Sequence, residues 1–345
     1  MPLEALQPHQ RGEVITLLAS AFRLSKTAPF VEPSLMKWKY DDPRPGSSTL
    51  RSYGWTEDGR IVAHVGLCPL VYRTEDREAR VVSLIDWASD GTRPGIGLDL
   101  LKELNACLPV LLVVGGSPVT KRILPRNGFQ AAGKLSFYVR VVHPWRQFCT
   151  DPFPRGWKAP LRFVRNLVWS RGRTVATAAN WTCSPASFTG AGIDSLFEAE
   201  TDFPSTLRSS ELMEYFLRCP AAAFSAFVLE KDGDRRGWFV LSRVGRVIRI
   251  ADLRVHRPTP EDWEAAYSLA TKAALAEPDI CEVVATACIP GAEQALRRNG
   301  FRFHHSEPVV LLDPKGLLVG HAPLEVTLLE SDGAYITDPH NPYLS

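Results

Sequence analysis

The chain has 345 residues, 45% of them apolar and 23% charged, and its 40 Lys and Arg against 38 Asp and Glu leave a formal charge of +2. These values describe an ordinary globular protein, long for one core and comfortable for two domains, and they exclude a strong overall pull toward nucleic acid or membranes. No apolar run approaches the roughly 20 residues that cross a bilayer, no basic start followed by an apolar core marks an export signal, and the seven cysteines form no Cys-x-x-Cys pair. That cysteine usage suits free thiols in a reducing compartment, and the expected location is the cytoplasm.

In chain order, residues 10–24 read as a helix with Val14, Leu17, Leu18 and Phe22 on one face, and residues 35–40 as a second, short helix. Residues 52–56 and 61–71 read as strands joined by a hairpin turn at Asp58 and Gly59. Residues 83–88 form a short buried strand. A helix follows, with Leu98, Leu101, Leu104 and Leu108 on its apolar face and Asp99, Lys102, Glu103 and Asn105 opposite.

Between that strand and helix lie Asp90, Gly91, Thr92, Arg93, Pro94, Gly95, Ile96 and Gly97. The first amides of a helix lack internal partners and carry the positive end of its dipole. Glycines at 95 and 97 would let a diphosphate approach the backbone itself, and Arg93 adds charge at the rim. The same glycines also suit a plain strand-to-helix turn. The loop is not a dinucleotide fingerprint, which needs a third glycine, nor a P-loop, which needs Gly-Lys-Ser/Thr.

Residues 109–114 read as another apolar strand, broken by Gly115 and Gly116. Ser117 followed by Pro118 is a helix N-cap with proline at the first helical position, and Asn127 with Gly128 stops that helix. Phe137, Val139 and Val141 alternate along a closing strand. Residues 144–186 are rich in proline and aromatics, with a short basic helix. Its Arg162, Arg165, Arg171 and Arg173 read as a solvated face, with phosphates or an anionic surface as the other reading.

The second half repeats the first faintly. Leu35, Met36 and Pro43 match Leu212, Met213 and Pro220, and the RNGF of residues 126–129 recurs at 298–301, in the same order and at nearly the same offset. Strands are expected at 223–229, 238–242 and 247–255, then a helix from Thr259 with Pro260 and Asp262 in capping positions. A strand at 280–287, a helix at 290–299 and strands near 308–312 and 324–329 complete the chain. Where the first half has DGTRPGIG the second has HRPTPED. Glu261 and Asp262 would fill or repel an anion there.

Taken together, these motifs resemble the GNAT acyltransferase superfamily, here as a tandem pair. In that family a central strand precedes a loop of pattern [QR]xxGx[GA] whose amides hold the pyrophosphate of acetyl-CoA. TRPGIG at 92–97 matches both glycines but has Thr92 at the basic or amide position, with Arg93 one place late. Ser117 and Pro118 take the place of the family's Asn-Pro, and Gly128 and Phe129 that of its Gly-Phe. The tyrosine that commonly protonates the departing thiolate is replaced by Leu124, and by Leu296 in the second half. The repeats and the closing VTLLESDGAY are further similar to tandem GNAT proteins found near bacterial polysaccharide-biosynthesis genes.

The resemblance covers residues 10–142 well and 190–330 weakly. It implies an α/β fold of two tandem GNAT-like domains, each a mixed, largely antiparallel sheet flanked by helices: residues 1–143 with the acyl-CoA loop, a linker at 144–186, and a degenerate second domain at 187–345. It implies an N-acyltransferase that uses acetyl-CoA or another acyl-CoA as cosubstrate, with no metal, and acts on a small amine or amino sugar. Trp87, Ala88, Thr92, Arg93, Pro94, Gly95, Ile96, Gly97 and Ser117 would then contact the cosubstrate.

An amine is mostly protonated at pH 7, so a base must take its proton. Asp86, mid-strand beside the loop, is the first candidate, although Asp252 holds the equivalent place in the second half and points to a shared structural acid instead. His64 on the neighbouring strand is the second candidate, against the reading of a core histidine bonded to backbone. Adjacent His304 and His305 on a strand point to opposite faces, so a shared metal is not expected. Two rival functions are a Fem-type peptidyltransferase using aminoacyl-tRNA, which the basic helix favours, and a non-catalytic acyl-CoA-binding or scaffold protein, which Leu124 and Thr92 favour. Nucleic acid is not the expected partner and oligomeric state is open.

Overall fold

The computed structural model describes residues 3–25, 28–45, 50–75, 77–150, 157–187, 194–197, 203–321, 323–338 and 341–345. Part of the proline-rich connection, 151–156, and Asp76 of the turn before the central strand lie outside the described residues.

The first half runs β1 (Glu4–Ala5), α1 (Arg11–Ala21), α2 (Pro33–Tyr40), β2 (Ser52–Glu57), β3 (Arg60–Arg73), β4 (Glu78–Ser89), α3 (Ile96–Cys107), β5 (Leu111–Val114), α4 (Pro118–Ile123) and β6 (Gln130–Val141). Then come α5 (Pro144–Cys149), α6 (Ala159–Trp169), β7 (Trp181–Pro185), α7 (Asp194–Phe197) and β8 (Ser205–Thr206). The second half continues with α8 (Ser210–Leu217), β9 (Ala223–Lys231), β10 (Asp234–Val244), β11 (Val247–Val255), α9 (Pro260–Ala276), β12 (Glu282–Ala287), α10 (Pro290–Arg298) and β13 (Arg302–Leu312).

The chain forms two compact units, neither continuous in sequence: residues 1–133 with 204–207 and 308–322, and residues 134–203 with 208–307 and 323–345. In the first unit β1, β2, β3, β4, β5 and β13 pair in that order, with β8 on the far end of β3. In the second the order is β7, β9, β10, β11, β12 and β6. Among the described residues each sheet is mixed and largely antiparallel, its one parallel pair being β4 with β5 or β11 with β12. The strand antiparallel to β5 is β13, from late in the chain, while β12 is joined by β6, from the first half. The repeated halves have exchanged their closing strands.

Local chemistry explains most elements. The Asp58–Gly59 turn closes the β2–β3 hairpin with φ of +48° and +74°, the left-handed pair a two-residue hairpin needs. Ser117 Oγ accepts the Thr120 amide at 3.1 Å and starts α4, and Thr259 and Asp262 form the reciprocal capping box of α9. The two RNGF segments end their helices identically, with Gly128 at φ +86° and Gly300 at φ +83°.

Three expectations are corrected. The buried face of α3 is Ile96, Leu100, Leu101 and Leu104, with Leu98 only half-buried, because the helix starts at Ile96 and that residue sets the stripe. Phe22 falls just past α1 and is exposed. Residues 324–329 are buried but form no strand beyond a single bridge at Glu325, because Thr327 caps a 3-10 turn at Leu328–Glu330.

Candidate functional site

β3 and β4 are buried on both faces. Val82 and Leu84 of β4 join the cluster under α3, and Ile85 joins the cluster under α1 and α2. Beyond Ile85 the alternation reverses, since Trp87 packs on the α3 side and Ala88 on the α1 side. The cause is a β-bulge: the register runs from Gly66–Ile85 to His64–Ala88, so Asp86 and Trp87 share the space opposite Val65. Asp86 takes a φ of +50°, uncommon for a residue with a side chain.

The bulge is held by side chains. Asp86 Oδ2 accepts from Lys39 Nζ and Tyr40 Oη of α2, while Oδ1 is buried without a hydrogen-bond partner. The Asp86 carbonyl, displaced from the ladder, lies 2.9 Å from His64 Nδ1, and His64 Nε2 lies 2.9 Å from Ser52 Oγ. Burial pushes the His64 pKa down from 6.5 to about 4, so the ring is neutral. Its Nδ1–H donates to the carbonyl and Nε2 accepts the Ser52 hydroxyl. His64 is 0% exposed, with one ring nitrogen on the Asp86 backbone carbonyl and the other on the Ser52 hydroxyl.

The parallel pairing of β4 with β5 ends just before this bulge. β4 and β5 pair only at Val82–Leu111 and Ser83–Leu112, and β4 then continues to Ser89 paired with β3 but not with β5. The loop that follows is exposed from Asp90 through Gly95. Gly91 and Gly95 have φ of +78° and +87° with nothing within 4 Å of the Cβ position. α3 opens on Gly95 with no side chain capping its first amides. Trp87 Nε1 donates to the Gly97 carbonyl at 3.1 Å, and its indole lies so close that a Cβ on Gly97 would come 3.1 Å from that nitrogen.

Other loop groups are already engaged. Thr92 gives its amide and hydroxyl to Asp90 Oδ1 at 3.0 and 2.7 Å. Arg93 is shared between Glu57 at 3.3 Å and Asp99 at 3.7 Å. Pro94 is exposed, Ile96 is core, and Ala88 is buried toward α1. Ser117 spends its hydroxyl on the α4 cap.

No family model matches the sequence, and no curated protein matches it. Solved structures do. A GCN5-related N-acetyltransferase from Anabaena variabilis ATCC 29413 superposes with a TM-score of 0.58 at 9% identity, over 90% of this chain and 71% of that one. A conserved protein of unknown function from Enterococcus faecalis V583, a probable N-acyltransferase, gives 0.57 at 11% identity over the same shares. A tandem GNAT protein from the clavulanic acid biosynthesis pathway gives 0.56 at 14% identity, over 90% of this chain and 98% of that one. The fold is that of the tandem GNAT proteins.

Within that fold the second unit repeats the bulge and alters everything after it. The register between β10 and β11 slips at Ala251, beside Asp252. Asp252 accepts from Arg208 Nε at 3.0 Å and from Trp238 Nε1 at 3.1 Å. Burial works against its ionisation, but Arg208 and Arg254 outweigh it and hold the carboxyl below its usual range. Arg208 also reaches Glu330 at 2.6 Å, and Arg254 reaches Glu325 at 3.1 Å. A cavity of about 20 Å³, room for about one water, lies beside β11 and β12, lined by Leu253, Tyr267, Ala287, Cys288 and Glu325 among others. Thr259 and Asp262 cap α9, with Lys231 on Asp262 at 2.8 Å. Of the two corresponding helices, α3 starts with no side chain on its first amides, whereas α9 starts capped.

Lys39, Tyr40 and Ser52 are the site residues that sequence reasoning missed. The Leu-Met repeat at 35–36 and 212–213 marked α2 as important but did not say that its last turn reaches the central strand.

Proposed function

We propose that the first unit is the acyl-CoA site of an N-acyltransferase acting on a small amine or amino sugar. The observation that carries this reading is the uncapped start of α3 at Gly95, directly after β4 has bulged and parted from β5. A diphosphate fits the residues present there: open space at Gly91 and Gly95, and first-turn amides under a positive helix end. Trp87 supports the loop from beneath and Arg93 stands at its rim. The free edge of β4 beyond the bulge presents backbone groups to a pantetheine arm, which is the part assigned to Trp87 and Ala88.

The bound thioester supplies an activated acyl carbon for direct attack by the amine. Asp86 takes the amine proton through Oδ1, the oxygen its partners leave over. His64 positions the bulge by holding its carbonyl and moves no proton. Leu124 is 1% exposed within the core under α3 and has no hydroxyl to give, so the departing thiolate takes its proton from water. That same Leu124 favours a second reading, an acyl-CoA-binding protein without turnover.

Calorimetric titration of acetyl-CoA tests the reading with two isosteric variants. Asn and Asp both tolerate the left-handed backbone of Gly95, and nothing crowds a side chain there. Gly95→Asn keeps micromolar binding within a few-fold of the wild type, whereas Gly95→Asp loses at least about tenfold through charge repulsion at the helix start. No binding by the wild type, or equal affinities for the two variants, overturns the site. Binding without acylation across an amine screen selects the second reading.

A further inference from the structure

In the second unit, α6 is packed with its polar side inward. Ala159 and Asn166 are buried. Asn166 Nδ2 donates to Gln147 Oε1 at 2.8 Å, and Gln147 Nε2 donates to Ser345 Oγ at 2.6 Å and to Glu282 at 3.2 Å. Arg162 donates to the carbonyls of Tyr343, at 3.0 Å, and Ser345. These bonds fix the rotation of the helix. Its outward side is then Leu161, Val164, Leu167 and Val168, and Trp157 lies one turn before them; all five are 40–79% exposed.

Within α6, Leu161, Val164 and Val168 are spaced three and four apart, so they form one stripe about 10 Å long, with Trp157 in the turn that precedes it. Trp145 of α5 stands beside it, 64% exposed and edge-on to Phe163 at 5.8 Å. A contiguous apolar patch of this kind needs a covering partner.

The charge around the stripe says which. Residues 157–174 contain Lys158, Arg162, Arg165, Arg171 and Arg173 and no Asp or Glu, in a chain whose whole formal charge is +2. Lys158, Arg165, Arg171 and Arg173 are exposed. Indole rings stand at both ends, with Lys158 over Trp157 at 5.2 Å and Arg165 over Trp169 at 4.4 Å. A twofold contact with a second copy would bring these cations against themselves. A helix with a basic rim, an apolar stripe and interfacial tryptophans has the chemistry of a segment lying in a lipid headgroup layer.

We infer that the outward face of α6, Leu161 to Val168, together with Trp157 just before the helix, docks this protein on an anionic lipid bilayer. Eleven residues are too few to cross one, so the helix lies flat with its stripe among the acyl-chain ends and its arginines at lipid phosphates. The inference is independent of the acyl-CoA site.

Flotation of the full chain with vesicles tests it. Vesicles of phosphatidylcholine and phosphatidylglycerol, two to one, bind the protein at least about tenfold more strongly than phosphatidylcholine alone, and 0.5 M salt reverses much of the difference. Leu161→Glu with Val164→Glu, both at exposed positions, abolishes binding while the thermal midpoint and circular dichroism stay unchanged. Arg171→Glu with Arg173→Glu weakens it several-fold. No preference for anionic vesicles overturns the inference. So does binding that the Leu161→Glu, Val164→Glu variant retains. Self-association in light scattering that this variant removes, without lipid binding by the wild type, overturns it in favour of a second copy.

Discussion

Lys39 and Asp86 lie 47 residues apart and meet as an ion pair in which each side chain is 1% exposed. A buried pair of this kind adds little net stability by itself, but removing one partner strands the other in a medium that cannot solvate it. Lys39→Met is expected to cost about 3–5 kcal/mol. Lys39→Met combined with Asp86→Asn costs less than the two single changes added together. Urea midpoints of the four proteins check this, and a Lys39→Met cost under about 1 kcal/mol would show that the pair does not hold the bulge.

His64 gives the fold an acid-sensitive limb. Its folded pKa is about 4 against 6.5 when unfolded, so between those values the unfolded chain binds a proton that the folded one does not. Stability is therefore complete above about pH 6.5 and falls as pH drops toward 4, by about 3 kcal/mol from this residue. His256 and His304 are shifted in the same direction, burial being the main cause, and add to the same limb. Replacing His64 with Gln lowers stability at pH 7 but flattens the dependence between pH 6.5 and 4. An unchanged slope in the variant would assign the limb to other groups.

The two helix-ending glycines of the RNGF repeats differ in what surrounds them. A Cβ on Gly128 meets the flexible Leu312 Cδ1 at 3.3 Å, whereas on Gly300 it meets the Arg173 carbonyl oxygen and the Gly172 carbonyl carbon at 3.0 Å. Gly128→Ala should cost about 1–2 kcal/mol for the left-handed backbone alone. Gly300→Ala pays that and must also displace backbone whose Gly172 carbonyl receives Arg140 at 3.1 Å, so its thermal midpoint falls further. Equal midpoints for the two variants would show that this segment yields freely.

What was legible in the sequence was chemistry acting within a few residues. The Asp58–Gly59 turn, the Ser117 and Thr259 caps and the two RNGF stops each carry their own geometry, and the structure has them where the residues stand. The bulge was not legible, because β3 and β4 are apolar on both faces and a one-residue slip leaves no mark in such a run. Nor were the partners of Asp86 and His64, which come from α2 and β2 through tertiary packing. Thr92 shows the limit from the other side. Its spacing within the loop says nothing of its partners, and Asp90, two residues before it, takes its amide and hydroxyl.

The exchange of closing strands has a consequence for how the protein is made. β5 is translated early, yet Val309–Leu312 of β13, which completes its hydrogen bonding, leaves the ribosome about 200 residues later. At roughly 5–20 residues per second that is a wait on the order of ten to forty seconds. During it the Leu111–Val114 edge stands open and is exposed to pairing with a neighbouring nascent chain. A gene cut near residue 143 would make that wait permanent, so the two halves are one unit of biosynthesis.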